Sequence, residues 1–338
     1  MDNSLKFDAT QTGFSESFYV LWNDPEQQLS MIVRYVLFNG PTEETKIAQV
    51  WAWFRDRSPE GKADFAIKQS FPLAAAQFDQ GEEGLNIAHS GITPERCWGE
   101  VSNGENTLQW DFEMDASTCI AVDRLADVYD SPLFPKFYSP ACKHALTGSV
   151  TLDQQQYSLE QVAASDGHYW NVHNMHSWSW CNAVQFQNNP DFLFEGIGFH
   201  LNDWGQPSVW LTIEWNGQRY NSNLIDAMYH NRQLNSSLDS WEFRMERNEI
   251  KFEGTVTAKA EDMILITHPL PDGSSLYTHI SYNADLVIHV FEKREGEWVK
   301  VDTAIATDTA SFEVTKTERN PHVTREFTEI AAVIKETV

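Results

Sequence analysis

The chain has 338 residues, with 24 Lys and Arg against 49 Asp and Glu, a formal net charge of −25. That length suits about two domains, and 41 % hydrophobic with 22 % charged residues is a globular composition, not a disordered one. A surface this acidic repels phosphate backbones and anionic headgroups, which argues against nucleic acid as a partner.

No stretch reaches the roughly 18 apolar residues of a membrane-spanning helix. The start, MDNSLKFDATQTG, lacks the layout of an export signal. The expectation is therefore a cytoplasmic protein with no integral membrane segment. Cys97, Cys119, Cys142 and Cys181 are widely spaced with no CxxC pair, so they read as free thiols. The 13 Trp, 20 Phe and 10 Tyr exceed what an ordinary core needs and favour a binding cavity.

In chain order, period-two alternation marks strands at Ser30–Phe38, Ile47–Phe54 and Thr107–Asp115. In the last, Leu108, Trp110, Phe112 and Met114 share one face. A weak helical period covers Ala121–Tyr129, and the Pro-rich, aromatic Asp130–Tyr138 reads as a connector. Strands follow at Ser177–Phe186, Ser208–Trp215, Glu249–Ala258, Met263–Thr267, Tyr277–Tyr282, Asp285–Glu292 and Glu297–Ala304. A second helical candidate is Arg325–Lys335. Turn signals fall between strands at Asn216-Gly217, Pro271-Asp272-Gly273 and Glu295-Gly296. The fold class is all-β, as antiparallel barrels or sandwiches, and a boundary near residue 155 divides the strands into two similar sets, 1–155 and 156–338.

The segment from Asp166 to Trp204 concentrates chemistry. It holds Trp170, Trp178, Trp180 and Trp204 with His168, His173, His176 and His200, and the acids Asp166, Glu195 and Asp203. On a strand from Ser177, the residues His176, Trp178, Trp180, Asn182, Val184 and Phe186 point one way. The small Ser177, Ser179, Cys181 and Ala183 point the other. The small face suits close packing, and the bulky face suits a cavity wall or a plugged core.

The histidine spacings match no zinc motif, so no metal is expected. A nucleophile elbow and the Gly-rich phosphate loops are also missing, Glu195-Gly196-Ile197-Gly198 being too short. No cofactor is expected.

Within this segment the hairpin Thr147–Tyr157 precedes Gly167-His168-Tyr169-Trp170-Asn171-Val172-His173-Asn174, and an aromatic strand with Trp178-Ser179-Trp180 follows. In this layout the chain resembles the two-domain lipocalin-like superfamily of carotenoid hydratases, AttH-like proteins, tocopherol cyclases and Diels–Alderases. Val172 stands where the hydratases carry Asp, and Met175 where the pattern often has Trp. Their downstream Tyr and Asp have His200 and Asp203 as nearest counterparts.

The resemblance implies two lipocalin-like β domains packed together and a cofactor-independent enzyme of secondary metabolism. Such an enzyme cyclises, hydrates or isomerises a terpenoid, polyene or polyketide in an aromatic cavity between the domains. Polyene chemistry of this type needs an acid protonated near neutrality, which burial among rings favours. Asp203 is the leading acid, against a plain turn at Asn202–Gly205, and His173 or His176 is the next. Trp178 and Trp180 would stabilise a cation by roughly 0.5–2 kcal/mol each. Tyr169, Trp170, Asn174, His200 and Trp204 complete the expected substrate-binding set. The alternatives are a non-catalytic lipid or pigment carrier and a carbohydrate-binding sandwich.

Overall fold

The computed structural model describes residues 4–61, 63–78, 83–115, 136–138, 143–171, 176–200, 206–269 and 274–331, with only the backbone of 136–138, 171 and 269. Two large antiparallel sheets account for nearly all of it. The described residues divide into two compact units, 4–115, 136–171 and 327–331 in the first and 176–326 in the second. Residue 155 opens the long strand Gln155–Asn171 of the first sheet.

The first sheet has 13 strands among the described residues. Its centre runs Asp64–Pro72, Lys46–Asp56, Leu29–Asn39, Ser15–Asp24, Gln155–Asn171, His144–Leu152, Thr107–Asp115 and Arg96–Ser102. Alternation sets the inner face. Phe18, Val20 and Trp22 meet Val33, Tyr35 and Leu37, then Val50, Ala52 and Phe54, in one core with Trp110 and Phe112 from the far side. Each such apolar side chain removed from water contributes roughly 1.5–3 kcal/mol. The sheet curls until strands from its two halves meet across the core: the Tyr35 hydroxyl donates to the Trp98 carbonyl at 2.8 Å.

The second sheet runs Gln218–Asn221, Ser208–Trp215, Leu193–His200, Ser177–Ala183, Glu297–Lys316, Ser275–Arg294, Ile250–Thr257, Ser240–Arg247 and Arg232–Ser236. Val209, Leu211 and Ile213 from one end share a core with Trp241, Phe243 and Phe252 from the other. The turns carry the predicted chemistry. Asn216 and Gly217 have φ of 51° and 70°, and Glu295 and Gly296 have 52° and 91°. Positive φ at both central positions matches the twist of a tight hairpin.

Several expectations need correction. Tyr277–Tyr282 and Asp285–Glu292 are parts of one strand, Ser275–Arg294, bent at irregularities near Ala284; its first half pairs with Ile264–Pro269 and its second with Ile250–Thr257. The strand from Ser177 ends at Ala183, so Phe186 leaves the alternation and joins Cys181 and Ala183 in the core. The expected helix at Arg325–Lys335 is not formed over its described part. Thr328–Ala331 is a strand, parallel to Ile67–Ser70, because an open sheet edge supplies backbone partners and Lys68 binds Glu329 at 2.7 Å. Lys136–Tyr138 pairs with the end of Gln155–Asn171. Ala121–Tyr129 and Pro271–Gly273 lie outside the described residues.

Candidate functional site

The inner face of Gln155–Asn171 begins as an apolar series with Val162 and Ala164, then turns polar at Asp166 and His168 before Trp170. Opposite it, the inner series of Ser15–Asp24 reads Glu16, Phe18, Val20, Trp22. Register places Phe18 across from His168 and Glu16 across from Trp170. The result is a carboxyl and an imidazole inside a core of rings. His168 Nε2 lies 2.6 Å from Glu16 Oε1, and both side chains are 0 % exposed. The Lys6 backbone N–H also donates to Oε1, at 2.8 Å. Glu16 Oε2 is buried without a hydrogen-bond partner among the described residues. Phe18 stacks on the imidazole with centroids 3.9 Å apart, and Trp170 packs on it at 4.4 Å.

A second acid and imidazole lie one step along the strand. His144 Nδ1 is 3.7 Å from Asp166 Oδ1. Asp166 and Gly167, with Phe18, Tyr19, Ile92 and the turn at Thr93–Pro94, line a cavity of about 20 Å³. That is room for one water, and a carboxylate on the wall gives it a polar partner. Nearby, Trp110 Nε1 donates to the Tyr35 hydroxyl at 3.2 Å, with Cys97 Sγ 3.4 Å from the same oxygen. Burial pushes the Cys97 thiol up to about 12 and raises Tyr35 well above its usual value. Both stay protonated here and act as hydrogen-bonding groups, not nucleophiles.

In the second unit the small face of Ser177–Ala183 turns inward, with Cys181 and Ala183 in the core. Trp178, Trp180 and Asn182 lie on the reverse face. There the Trp178 indole donates to Glu313 at 2.6 Å and the Trp180 indole to Glu195 at 3.3 Å. Glu195 is fully buried and stands across from Asn182. Burial, then Glu195, hold the Cys181 thiol well above its usual value.

The sequence-predicted residues are thus distributed. Trp178 and Trp180 share a face. Tyr169 and Trp170, being successive on a strand, lie on opposite faces, Trp170 on the His168 side. His176 and His200 are neighbours, the His176 backbone N–H donating to the His200 carbonyl at 3.0 Å. His173, Asn174, Asp203 and Trp204, and with them Cys119 and Cys142, lie outside the described residues. Cys97 and Cys181 are free and buried. Among the described residues no three His, Cys, Asp or Glu groups are placed to hold a metal ion, and no helix is long and apolar enough to cross a membrane.

Sequence reasoning missed Glu16, and the signal was there. In Phe14-Ser15-Glu16-Ser17-Phe18-Tyr19-Val20-Leu21-Trp22 the acid occupies a position of the apolar face, where a carboxylate is costly without a partner. Its partner, 152 residues away, was not legible.

Two sheet-built β units of this kind define the class: the chain has the two-domain lipocalin-like fold that its central segment resembles. Among solved structures it is similar to CghA crystallised with Sch210972, at TM-score 0.55 and 10 % identity over 91 % of this chain and 90 % of that one. It is similar to the AttH-like protein NE1406 of Nitrosomonas europaea, at 0.54 and 11 % over 94 % and 98 %. The third is kievitone hydratase from Nectria haematococca, at 0.53 and 11 % over 93 % of each chain. No protein-family model matches the chain, and neither does any curated protein sequence.

Proposed function

We propose that the chain is an enzyme that hydrates, cyclises or isomerises a hydrophobic small molecule by proton transfer, without a cofactor, and that hydration is the favoured member of this set. The observation that carries the reading is the pair of acid–imidazole contacts inside the first unit, one of them opening on a cavity the size of a single water. Hydration of an alkene needs a proton for one carbon, a water for the other, and a base that takes the proton back from the bound oxygen. Asp166 lines a cavity with room for that water, and His144, 3.7 Å from the Asp166 carboxyl, can exchange the proton with it. Phe18 lines the same cavity and, with Trp170, packs on His168, which keeps the surroundings of the acid apolar.

The shared fold with kievitone hydratase, an enzyme named for a hydration, and with CghA in complex with a small organic molecule supports the class of substrate, not the roles of residues. As an alternative site for this chemistry, the set expected from the sequence stands as a proposal of its own: Asp203, His173 or His176 as the acid, with Trp178, Trp180, Trp204, Tyr169, Asn174 and His200 as contacts.

The test is incubation of the full chain with prenyl, polyene and polyketide substrates in heavy-oxygen water. The expected result is a product carrying the heavy oxygen, with Asp166→Asn and Glu16→Gln lowering turnover by about 100-fold or more. Asp203→Asn and His173→Ala are run beside them. Guests that bind and return unchanged would replace this reading with that of a carrier.

A further inference from the structure

We propose that the second unit holds a binding site for an anionic oxygen group, a carboxylate carried on an organic ligand, formed by Lys316, His200, His176 and the Ser177 hydroxyl at one end of its sheet. The site goes beyond the reaction proposed above at Asp166 and does not depend on it; it gives His176 and His200 an anion-binding role in place of the one the alternative site gives them.

Strand register brings the groups together. Ser177 pairs with His200 on one side. On the other side, Trp178 pairs with Thr315, so Lys316 stands across from Ser177. Ser177, His200 and Lys316 therefore occupy one face of three adjacent strands. The backbone contact from His176 to the His200 carbonyl adds a second imidazole at the same end. Tyr277, the cross-strand partner of Lys316, packs against the core and offers an aromatic flank for an organic chain.

What marks Lys316 and His200 among the described residues is missing compensation. The molecule carries twice as many acids as bases, and its other basic side chains mostly meet carboxylates, as in Arg96–Asp111, Arg244–Glu253 and Arg319–Glu326. Lys316 and His200 are half-buried, and neither forms an ion pair among the described residues. Among the described residues the Lys316 ammonium donates to the Ser236 carbonyl, and the acid there that influences it, Glu318, sits on the exposed turn beyond the strand. Burial pushes the Lys316 ammonium below its usual value. The His200 imidazole is lowered first by burial and then by His176 and Lys316.

Two bases that disfavour each other's charge are an expense for the fold unless something negative sits on them. An anion placed there favours the charged form of both and takes hydrogen bonds from the ammonium, an imidazole and a hydroxyl. A buried donor also lacks a partner on this side of the sheet. The Trp241 indole N–H has no acceptor among the described residues, and the indole Cε2 lies 3.6 Å from where a side chain on Gly198, in the His200 strand, would begin.

The test uses the full chain and three probes at equal concentration: octanoate, methyl octanoate and inorganic phosphate. Calorimetric titration is expected to detect octanoate and to find binding of the ester at least 10-fold weaker. Lys316→Met and His200→Gln should each weaken octanoate by 10-fold or more, while Lys316→Arg retains it. Without ligand, Lys316→Met should melt at the same temperature as wild type or higher, because it removes an uncompensated charge. A lysine kept only for its bond to Ser236 predicts a lower one. Equal binding of acid and ester, octanoate binding unaltered in Lys316→Met, or phosphate binding as tightly as octanoate would each overturn the assignment.

Discussion

The buried Glu16–His168 contact makes a quantitative prediction about stability. Unit charges 2.6 Å apart attract by about 6 kcal/mol at an effective dielectric constant of ~20. Removing each from water costs several kcal/mol, so the intact pair is worth little net. A partner left alone is a different matter. With both side chains fully buried and Glu16 Oε2 already without a donor among the described residues, Glu16→Leu or His168→Phe breaks a buried polar contact from one side and should cost about 3–5 kcal/mol. The double variant leaves only the Lys6 backbone N–H in need of a new acceptor and should recover most of that loss, giving a coupling of at least about 2 kcal/mol. The assay is urea denaturation of the four proteins of the cycle, followed by tryptophan fluorescence. Single losses below about 1 kcal/mol, or a double variant that costs the sum of the two, would refute the claim that the two groups form one buried unit.

Alkaline unfolding should depend on Tyr157. Burial first, and then its bond to Asp56 at 3.1 Å, push its phenol from the usual 10 up to about 12. Because the folded value is the higher one, this stabilisation is complete below about pH 10 and is lost as the pH rises to about 12. Tyr157→Phe should flatten that limb in a pH series of melting temperatures. Trp180→Phe removes an indole donor from the fully buried Glu195 and should cost about 1–3 kcal/mol by chemical denaturation; a neutral result would show that Glu195 does not need it. Gly167→Ala sets a methyl group 2.3 Å from the Tyr19 ring at the cavity wall, an overpacking that should cost about 1–3 kcal/mol and lower turnover. Cys97 and Cys181, both raised by burial, should resist alkylation in the native protein and react after denaturation, as mass spectrometry of labelled peptides will show.

Much of this molecule is written in nearest-neighbour pattern. Thr107–Asp115 and Ser208–Trp215 form where alternation places them, and Asn-Gly and Glu-Gly turn where positive φ is needed. The opposition of Trp178 and Trp180 to Cys181 and Ala183 also follows from a two-residue period, since backbone pleating fixes it without reference to any other strand.

Pattern cannot say which of two apolar faces turns inward, because that depends on what the rest of the sheet presents. Here the small face went into the core and the indoles to the reverse side. It cannot say that Phe186 leaves the series, or that Thr328–Ala331 trades a weak helical preference for an open sheet edge. Above all it cannot join Glu16 to His168, or Lys316 to His200. Those placements come from strands distant in sequence settling into one register, with Lys316 and His200 on either side of Ser177, and a shift of a single residue would turn each side chain to the opposite face. The sequence by itself determined the strands, their turns and their two-sidedness; the tertiary structure alone decided which side chains meet, because cross-strand register is a property of the whole sheet.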